Sequence, residues 1–377
     1  AALITPVALT LYAPPAVVVD LSAPAEARWQ AALDASLAVH PFEQGFQKAF
    51  ADRNASMFSK LTPQHWERIG KAVEKNYPEQ AAELRGISAR FAHHGHPVTY
   101  EYLAAWAYIH EISHTDIAAG VETRECTAVL ATDAQGKTWH GGNMDQTPEA
   151  VRNVTVKIDF HLNGTLLFRG VDWYWFTAGV TRAVRQGVAT LQENWRSLEK
   201  MPPLETVLAQ IEAGVDSQVW IFRRVLQSPP KDFKALVAHL ETVPLAAPYY
   251  VIAGGPSGAG AVITRNNTAS EATYHLQDQP WYLAQTNYDR WLPDPHGDAR
   301  RTAAEGVMDS LGRAEGATLL GLMGVTGTYP VHNPHTAYTA LMSPETGELH
   351  AYVRVAMCPE HPGDAARYCQ AQHHVLV

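Results

Sequence analysis

One cysteine and one downstream aspartate stand where a nucleophile and its partner residue are expected. Cys126 lies where a helical sequence pattern gives way to a strand, and Asp145 follows a second strand. A hairpin that turns near Gly136 returns the chain to its starting end, so Asp145 is expected beside Cys126. A thiol in that position has a rigid strand behind it, which suits nucleophilic attack. A buried structural thiol is the alternative that sequence position alone leaves open.

A second arrangement of residues indicates a different chemistry. His110, Glu111 and His114 form the H-E-x-x-H pattern on a predicted helix, where the two histidines share one face and the glutamate could act as a base. A zinc site needs a third ligand. The glycine of the extended motif is replaced by Ile117, so that ligand would have to be a downstream glutamate. A zinc metalloprotease is therefore kept as an alternative.

The cysteines and the glycosylation motifs both indicate a secretory route. Cys358 and Cys369 are close in sequence with prolines between them, which predicts a short disulfide loop and leaves Cys126 unpaired. Asn-x-Ser/Thr acceptors occur at Asn54, Asn153, Asn163 and Asn266. These features predict a secreted or lysosomal glycoprotein.

Composition excludes some classes of function. The net charge is −9 with no basic patch, so nucleic acid is not an expected partner. The 18 histidines would mostly be charged at acidic pH, which fits a protein that works in acid. No apolar run is long enough to span a bilayer. Residues 1–20 are apolar but broken by prolines, and we interpret them as an extended N-terminal arm.

The predicted elements fall into blocks. Helical spacing occurs over residues 24–40, 42–58, 63–91 with a break at Pro78, 100–115, 203–226, 232–243 and 303–313. Strand patterns occur over residues 127–132, 137–141, 151–160, 165–170, 249–252, 260–264, 271–276, 338–342 and 349–355. Runs of strands separated by runs of helices predict an α+β layered architecture with an antiparallel sheet.

Several motifs together resemble one family. Cys126-Thr127, a short strand, a glycine turn and then His140-Gly-x-Asn-x-Asp145 resemble the acid ceramidase and N-acylethanolamine acid amidase family. Further blocks resemble the same family; they lie at residues 254–255 with 262–265, 285–291 with 300–301, and 330–333 with 338–342. The blocks run in the family's order from Cys126 to about residue 355. Before Cys126 only the helical character is similar.

The resemblance implies an N-terminal-nucleophile hydrolase with a four-layer αββα fold. The chain would cut itself between Glu125 and Cys126, which leaves a retained helical α-subunit (residues 1–125) and a catalytic β-subunit (residues 126–377) as a heterodimer. The reaction implied is hydrolysis of a fatty-acid amide, of the N-acylethanolamine or ceramide type, through an acyl-enzyme thioester. No metal or organic cofactor is implied, and transient contact with a membrane surface is expected for a lipid substrate.

The resemblance also assigns roles to residues. Asn287 would supply an oxyanion donor, Asp145 would orient the new α-amine, and Glu193 with Arg300 would form a supporting acid and base pair. A free α-amine can act as the base for the thiol of its own residue. The longer leading segment favours this branch over bile-salt and penicillin amide hydrolases, which begin close to their nucleophile.

One position departs from the family pattern. Gly142 stands where the family usually has an arginine, and losing that charge should raise the pKa of the cysteine. Either another cation substitutes, or substrate and rate differ, or the site is impaired. A catalytically impaired lipid-binding relative of the same fold is therefore an alternative. The residues Trp173, Trp175 and Phe176 would line an acyl-chain channel or a membrane-touching lip, or pack in the core.

Overall fold

The computed structural model describes residues 11–119, 126–197 and 200–354. The helices are α1 (Gln30–Val39), α2 (Phe46–Ser56), α3 (Pro63–Asn76), α4 (Pro78–His93), α5 (Tyr100–Ala107), α6 (Ile109–Ser113), α7 (Leu204–Glu212), α8 (Gln218–Gln227), α9 (Phe233–Thr242), α10 (Arg300–Gly316) and α11 (Leu319–Thr326). The strands are β1 (Leu11–Tyr12), β2 (Ala16–Asp20), β3 (Thr127–Thr132), β4 (Thr138–Asp145), β5 (Val156–Leu162), β6 (Thr165–Asp172), β7 (Arg182–Arg185), β8 (Ala189–Trp195), β9 (Tyr249–Gly254), β10 (Gly260–Arg265), β11 (Ser270–His275), β12 (Tyr282–Gln285), β13 (Thr336–Ser343) and β14 (Glu348–Arg354).

The strands form two sheets that lie face to face. The first has six strands in the order β1-β14-β13-β4-β3-β12, and the second has eight in the order β11-β10-β9-β8-β7-β6-β5-β2. Strands β3 and β4 of the first sheet contact β8 and β9 of the second. Helices α10 and α11 pack on the outer face of the six-stranded sheet, and α8 and α9 pack on the eight-stranded sheet. The α+β class with two sheets between helical layers is confirmed.

The central strands are buried on both faces because each sheet is covered on both sides. Every residue of β4, β9, β10 and β13 is buried. These strands therefore do not show the alternation of polar and apolar residues that a half-exposed strand would show. No helix in the described ranges is long and apolar enough to cross a bilayer.

The N-terminal third is helical, as expected, but it also contributes an edge strand to each sheet. Strand β1 pairs with β14, and β2 pairs in parallel with β5. Val17 and Val19 of β2 point inward and are 7% and 0% exposed, whereas Val18 between them is 49% exposed. The extended arm expected over residues 1–20 is thus built into the sheets where the structure describes it.

Several predicted elements need correction. The single helix expected over residues 203–226 is two helices, α7 and α8, separated at Gly214, whose φ of +82° is left-handed and favours glycine. Strands β7, β8 and β12 and helix α11 were not predicted. Strand β8 was not predicted because its buried residues include Gln192, Glu193 and Asn194, so its sequence lacks the regular spacing of apolar residues that indicates a strand.

The expected cleavage site, disulfide and glycosylation sites remain predictions. Glu125, Cys358 and Cys369 lie outside the described residues, so neither the cleavage site nor the disulfide is tested. The acceptors Asn54 and Asn163 are exposed, and Asn153 and Asn266 are partly exposed. Glycosylation at these four positions remains a prediction.

Candidate active site

Cys126 immediately precedes β3, which lies between β4 and the edge strand β12 in the six-stranded sheet. Thr127 pairs with Asn143 of β4, so the start of β3 lies beside the end of β4. The Cys126 thiol contacts the Met144 sulfur at 3.6 Å and the residue is 4% exposed. Its carbonyl oxygen accepts hydrogen bonds from Arg300 Nη1 at 3.0 Å and from Asn194 Nδ2 at 3.4 Å. The backbone of Cys126 is therefore held in place by two donors.

Arg300 brings three of the predicted site residues together. It begins helix α10, and its Nη2 donates to Asn287 Oδ1 at 3.1 Å while Nη1 lies 3.8 Å from Asp145 Oδ2. Asp298 accepts a further hydrogen bond from Nη2 at 2.7 Å. Because the same guanidinium also bonds to the Cys126 carbonyl, Asp145, Asn287 and Arg300 all lie around the cysteine.

Asp145 is a buried carboxyl with fixed partners. Thr336 Oγ1 donates to Oδ1 and Asn333 Nδ2 donates to Oδ2, each at 2.7 Å. Burial raises the pKa of Asp145 to about 6, and the charge of Arg300 opposes that rise. At mildly acidic pH the side chain is therefore partly ionised, and its ionised form can accept a hydrogen bond from an amine.

Asn287 has an amide suited to stabilising an oxyanion. It is fully buried, and its Nδ2 donates to the Trp195 carbonyl at 2.7 Å. A primary amide has two N–H donors. Among the described residues the second N–H has no partner, so it is available to a developing negative charge on a substrate oxygen.

Glu193 lies on β8, behind the cysteine. Its Oε1 is 3.5 Å from His110 Nδ1, and both residues are buried. Burial raises the pKa of Glu193 to about 8, so the side chain is a neutral acid at acidic pH. In its ionised form Glu193 would raise the pKa of Cys126, so the two groups interact electrostatically.

Sequence reasoning missed Arg182, Gln192 and Asn194. Burial raises the pKa of Cys126, and the charge of Arg182 is the largest influence that lowers it. The guanidinium of Arg182 donates hydrogen bonds to the Asn143 carbonyl and to the Tyr338 hydroxyl. The packing of β8 against β3 and the pairing of β7 with β8 bring these residues to the site, and no motif in the sequence marks them.

The zinc alternative does not fit the structure. His114 Nδ1 lies 2.9 Å from the His110 carbonyl and His114 Nε2 lies 2.9 Å from the Arg196 carbonyl, so both ring nitrogens face backbone oxygens. Glu111 Oε1 accepts a hydrogen bond from the Gln218 amide at 2.8 Å. Within residues 11–119, 126–197 and 200–354, no cluster of three or more suitable side chains could hold a metal ion. The H-E-x-x-H pattern is therefore part of the buried wall behind Glu193.

The aromatic run after β6 is core. Trp173, Trp175 and Phe176 are each 0% exposed. Trp106 packs edge-on against Trp173 and Phe176, and Trp175 stacks on Trp29. These side chains join the helical N-terminal region to the eight-stranded sheet, and they do not line a channel or form an exposed lip in this structure.

Comparisons with known proteins decide the family. An N-acylethanolamine-hydrolyzing acid amidase of Cavia porcellus is 30% identical over 345 residues, which are 89% of this chain and 88% of that protein. The chain belongs to the N-acylethanolamine acid amidase and acid ceramidase family. No family model matches the sequence. The acid ceramidase of Homo sapiens is 30% identical over 257 residues, which cover 62% of this chain and 63% of the relative.

A solved structure of the same family agrees. A Caenorhabditis elegans N-acylethanolamine-hydrolyzing acid amidase ortholog superposes with a TM-score of 0.51 at 26% identity, and the match covers 65% of this chain and 98% of the solved one. The family resemblance expected from the motifs around Cys126 is confirmed. Members of this acid amidase and ceramidase family are named as amide-hydrolysing enzymes, so the chain is an amidase by family.

Proposed function

We propose that this protein is a self-cleaving cysteine amidohydrolase that hydrolyses a fatty-acid amide. The observation that carries the proposal is the placement of Cys126 at the start of a buried strand, with Arg300 joining its carbonyl to Asp145 and Asn287. A nucleophile, a group that titrates near pH 6 and an amide donor are thereby within one small buried volume.

Activation begins with the thiol of Cys126. Its sulfur attacks the carbonyl carbon of Glu125 and the thiol proton passes to the amide nitrogen. The C–N bond to Cys126 then breaks, and the nitrogen leaves as the α-amine of Cys126. Water then hydrolyses the thioester at Glu125. Because the Cys126 carbonyl is anchored by Arg300 and Asn194, the residue keeps its place when the bond in front of it is cut.

The mature reaction uses the new α-amine as the base. The thiol proton passes to the amine, the sulfur attacks the substrate carbonyl, and the amide nitrogen leaves with a proton as the free amine. Asn287 donates to the oxyanion in the tetrahedral intermediate. Water hydrolyses the acyl thioester, which releases the fatty acid and restores the thiol. Asp145 holds the α-amine in position, and Glu193 and Arg300 support the site from either side.

The substrate class and the compartment follow from the relatives. Their names specify N-acylethanolamines and ceramides, and both are fatty-acid amides. The names also specify acid enzymes, and the raised pKa of Glu193 favours its protonated form at acidic pH. We therefore propose a lysosomal or secreted enzyme that acts at acidic pH, with residues 1–125 retained beside residues 126–377 and transient contact with a membrane surface.

Substitution of the cysteine tests the proposal. We expect Cys126→Ala to release no fatty acid from an N-acylethanolamine or a ceramide, and Cys126→Ser to be slowed by at least about 10²-fold because an alkoxide is harder to form than a thiolate. His110→Gln serves as the control for the zinc alternative, which would require that ligand. An active Cys126→Ala protein would refute the proposal. A wild-type protein that binds fatty amides without hydrolysing them would favour the impaired lipid-binding relative.

A further inference from the structure

The position of Gly142 is filled from the opposite sheet. A β-carbon at residue 142 would lie 2.1 Å from Gln192 Oε1 and 2.7 Å from the Thr127 carbonyl oxygen. Atoms of different residues do not approach that closely without displacement. The absence of a side chain at this position is therefore what allows Gln192 to reach β3.

Gln192 ties the strand of the nucleophile to the second sheet. Its Nε2 donates to the Thr127 carbonyl at 3.1 Å and to Asn194 Oδ1 at 2.7 Å. Asn194 in turn donates to the Cys126 carbonyl. Two adjacent peptide carbonyls at the start of β3 are thus held by side chains of β8. The bond from Gln192 needs a glycine at residue 142, because a β-carbon there would overlap the Gln192 side chain.

Arg182 lies directly across from Gln192. The two residues are paired between β7 and β8, and Arg182 is fully buried. Its Nη2 donates to the Asn143 carbonyl at 2.9 Å and its Nη1 donates to the Tyr338 hydroxyl at 3.1 Å. Since Asn143 pairs with Thr127, these bonds fix the guanidinium beside the start of β3, the strand that directly follows Cys126.

Among the described residues, titratable and charged groups from several elements surround this guanidinium. The titratable and charged side chains that face Arg182 or Cys126 are His140 and Asp145 on β4, Asp172 on β6, Tyr174, Glu193 on β8, Tyr338 on β13 and Arg300 on α10. Arg300 is committed to Asp298, Asn287 and the Cys126 carbonyl. Among the described residues, the charge of Arg182 is the largest influence that lowers the pKa of the Cys126 thiol.

We propose that Arg182 is the cation that stabilises the Cys126 thiolate, and that Gly142 is needed because it admits Gln192. The inference rests on the proposed function, since it takes Cys126 as the nucleophile. Arg182 keeps its protons throughout: the thiol proton goes to the α-amine, and the charge left on sulfur faces the guanidinium until the sulfur–carbon bond forms. The cation is thus supplied by β7 of the second sheet rather than by residue 142.

The first test removes the charge of Arg182 and leaves its bulk. In Arg182→Met we expect kcat/KM for a fatty-acid amide to fall by about 10²-fold. In a plot of kcat/KM against pH, the acidic limb should also move to higher pH by at least about one unit, because a neighbouring cation typically lowers the pKa of an acid by that much. Arg182→Lys should restore the position of the limb. An Arg182→Met protein whose acidic limb matches wild type would overturn the inference, since a purely structural role would not move the limb.

The second test addresses Gly142 and does not depend on the fold tolerating a change at Arg182. Gly142→Ala should lower kcat by at least about tenfold, because the new methyl group displaces Gln192 from Thr127. Gly142→Arg should lose activity rather than gain it. Gly141→Ala on the same strand is the matched control, because the three atoms nearest to its β-carbon would be side-chain atoms of Leu341 and Leu322 at 3.0 to 3.3 Å. Gly142→Arg that exceeds wild-type activity would contradict the inference.

The two proposals can fail separately. If Cys126→Ala hydrolyses the substrate, the proposed function is wrong whatever Arg182 does. If Cys126→Ala is inactive while Arg182→Met keeps both the rate and the acidic limb, only the role of Arg182 is wrong.

Discussion

The candidate site is a group of buried titratable side chains, and burial sets their protonation states. It raises the pKa of Cys126, Asp145 and Glu193, because each would otherwise place a negative charge in a low-dielectric interior. It lowers the pKa of His110 and His114, which would otherwise be positive. Near pH 5 the histidines behind the site are therefore neutral and Glu193 is protonated, which matches a site that operates in acid.

Substitution of Glu193 by glutamine should show, through the pH dependence of the free energy of unfolding, that Glu193 is protonated in the folded protein. The folded-state pKa of Glu193 is about 8 against 4.5 when unfolded, so the stability contributed by its protonated form is complete below about pH 4.5 and is lost as pH rises through 8. Glu193→Gln imitates the protonated form. Relative to wild type, we expect the free energy of unfolding of this variant to increase by about 1.4 kcal/mol for each pH unit between 5 and 8, measured by urea unfolding. Glu205→Gln on the surface is the control, and a pH-independent difference at residue 193 would disprove the raised pKa.

Removal of the Asn287 amide should affect the chemical step. Asn287→Ala deletes an oxyanion donor, and we expect kcat to fall by about 10²- to 10³-fold while KM changes little. Steady-state kinetics with one fatty-acid amide at acidic pH give both values. Asn266→Ala, which lies on a partly exposed turn, should match wild type. A change confined to KM would show that Asn287 binds substrate without stabilising the oxyanion.

Sequence motifs predicted part of this site and could not predict the rest. Cys126, Asp145, Asn287 and Arg300 lie in short blocks with recognisable neighbours, and the structure brings them together. Arg182 lies in a stretch with no motif, and it reaches the site only because β7 pairs with β8 and the two sheets stack. A contact that depends on long-range strand pairing leaves no local signal in a single sequence.

At the level of elements, local pattern predicted the helices and strands whose apolar residues are regularly spaced. The break at Pro78 between α3 and α4 was predicted, because proline begins a helix readily and interrupts one that continues through it. Strands β7 and β8 were missed because their inner faces carry the polar residues of the site. The part of the fold that positions the chemistry is thus the part with the weakest hydrophobic pattern.

Strand β2 should keep the N-terminal segment attached after cleavage. It pairs in parallel with β5, with Val19 opposite Phe160 and fully buried. Val19→Asp would bury a charge without a partner, so we expect the two fragments of the cut protein to separate on gel filtration. Val18→Asp on the exposed face of the same strand is the matched control and should leave the fragments together. Equal behaviour of the two variants would rule out β2 as an attachment point.

At the level of the whole molecule, a buried ion pair joins the two sides of the proposed cut. Glu83 on α4 accepts hydrogen bonds from Arg223 Nη2 at 2.6 Å and from Trp29 Nε1 at 2.9 Å. Both side chains of the Glu83–Arg223 pair are 0% exposed. The positive charge of Arg223 and these hydrogen bonds hold the pKa of Glu83 below its ordinary value despite burial. The helical region and the sheets therefore share one core and one charge network.

Breaking that pair should destabilise the whole protein. Glu83→Gln leaves Arg223 buried without its counter-charge, and we expect the free energy of unfolding to fall by about 3 to 5 kcal/mol near neutral pH. Because the folded pKa of Glu83 is lowered, its contribution is present above about pH 4.5 and is lost as pH falls further. Glu79→Gln removes a more exposed partner of Arg28 and should cost under about 1 kcal/mol. Similar losses in both variants, measured by thermal unfolding, would count against a special role for Glu83.

The central claim is that Cys126 becomes an N-terminal nucleophile by cutting the bond in front of it. Intact mass under denaturing conditions, after incubation at about pH 4.5 to 5 where the related acid enzymes would operate, tests this directly. We predict that the wild-type chain yields two fragments divided between Glu125 and Cys126, and that Cys126→Ala stays whole under the same conditions. A wild-type chain that stays whole yet hydrolyses a fatty-acid amide, or a Cys126→Ala chain that is cut at the same bond, would contradict the claim.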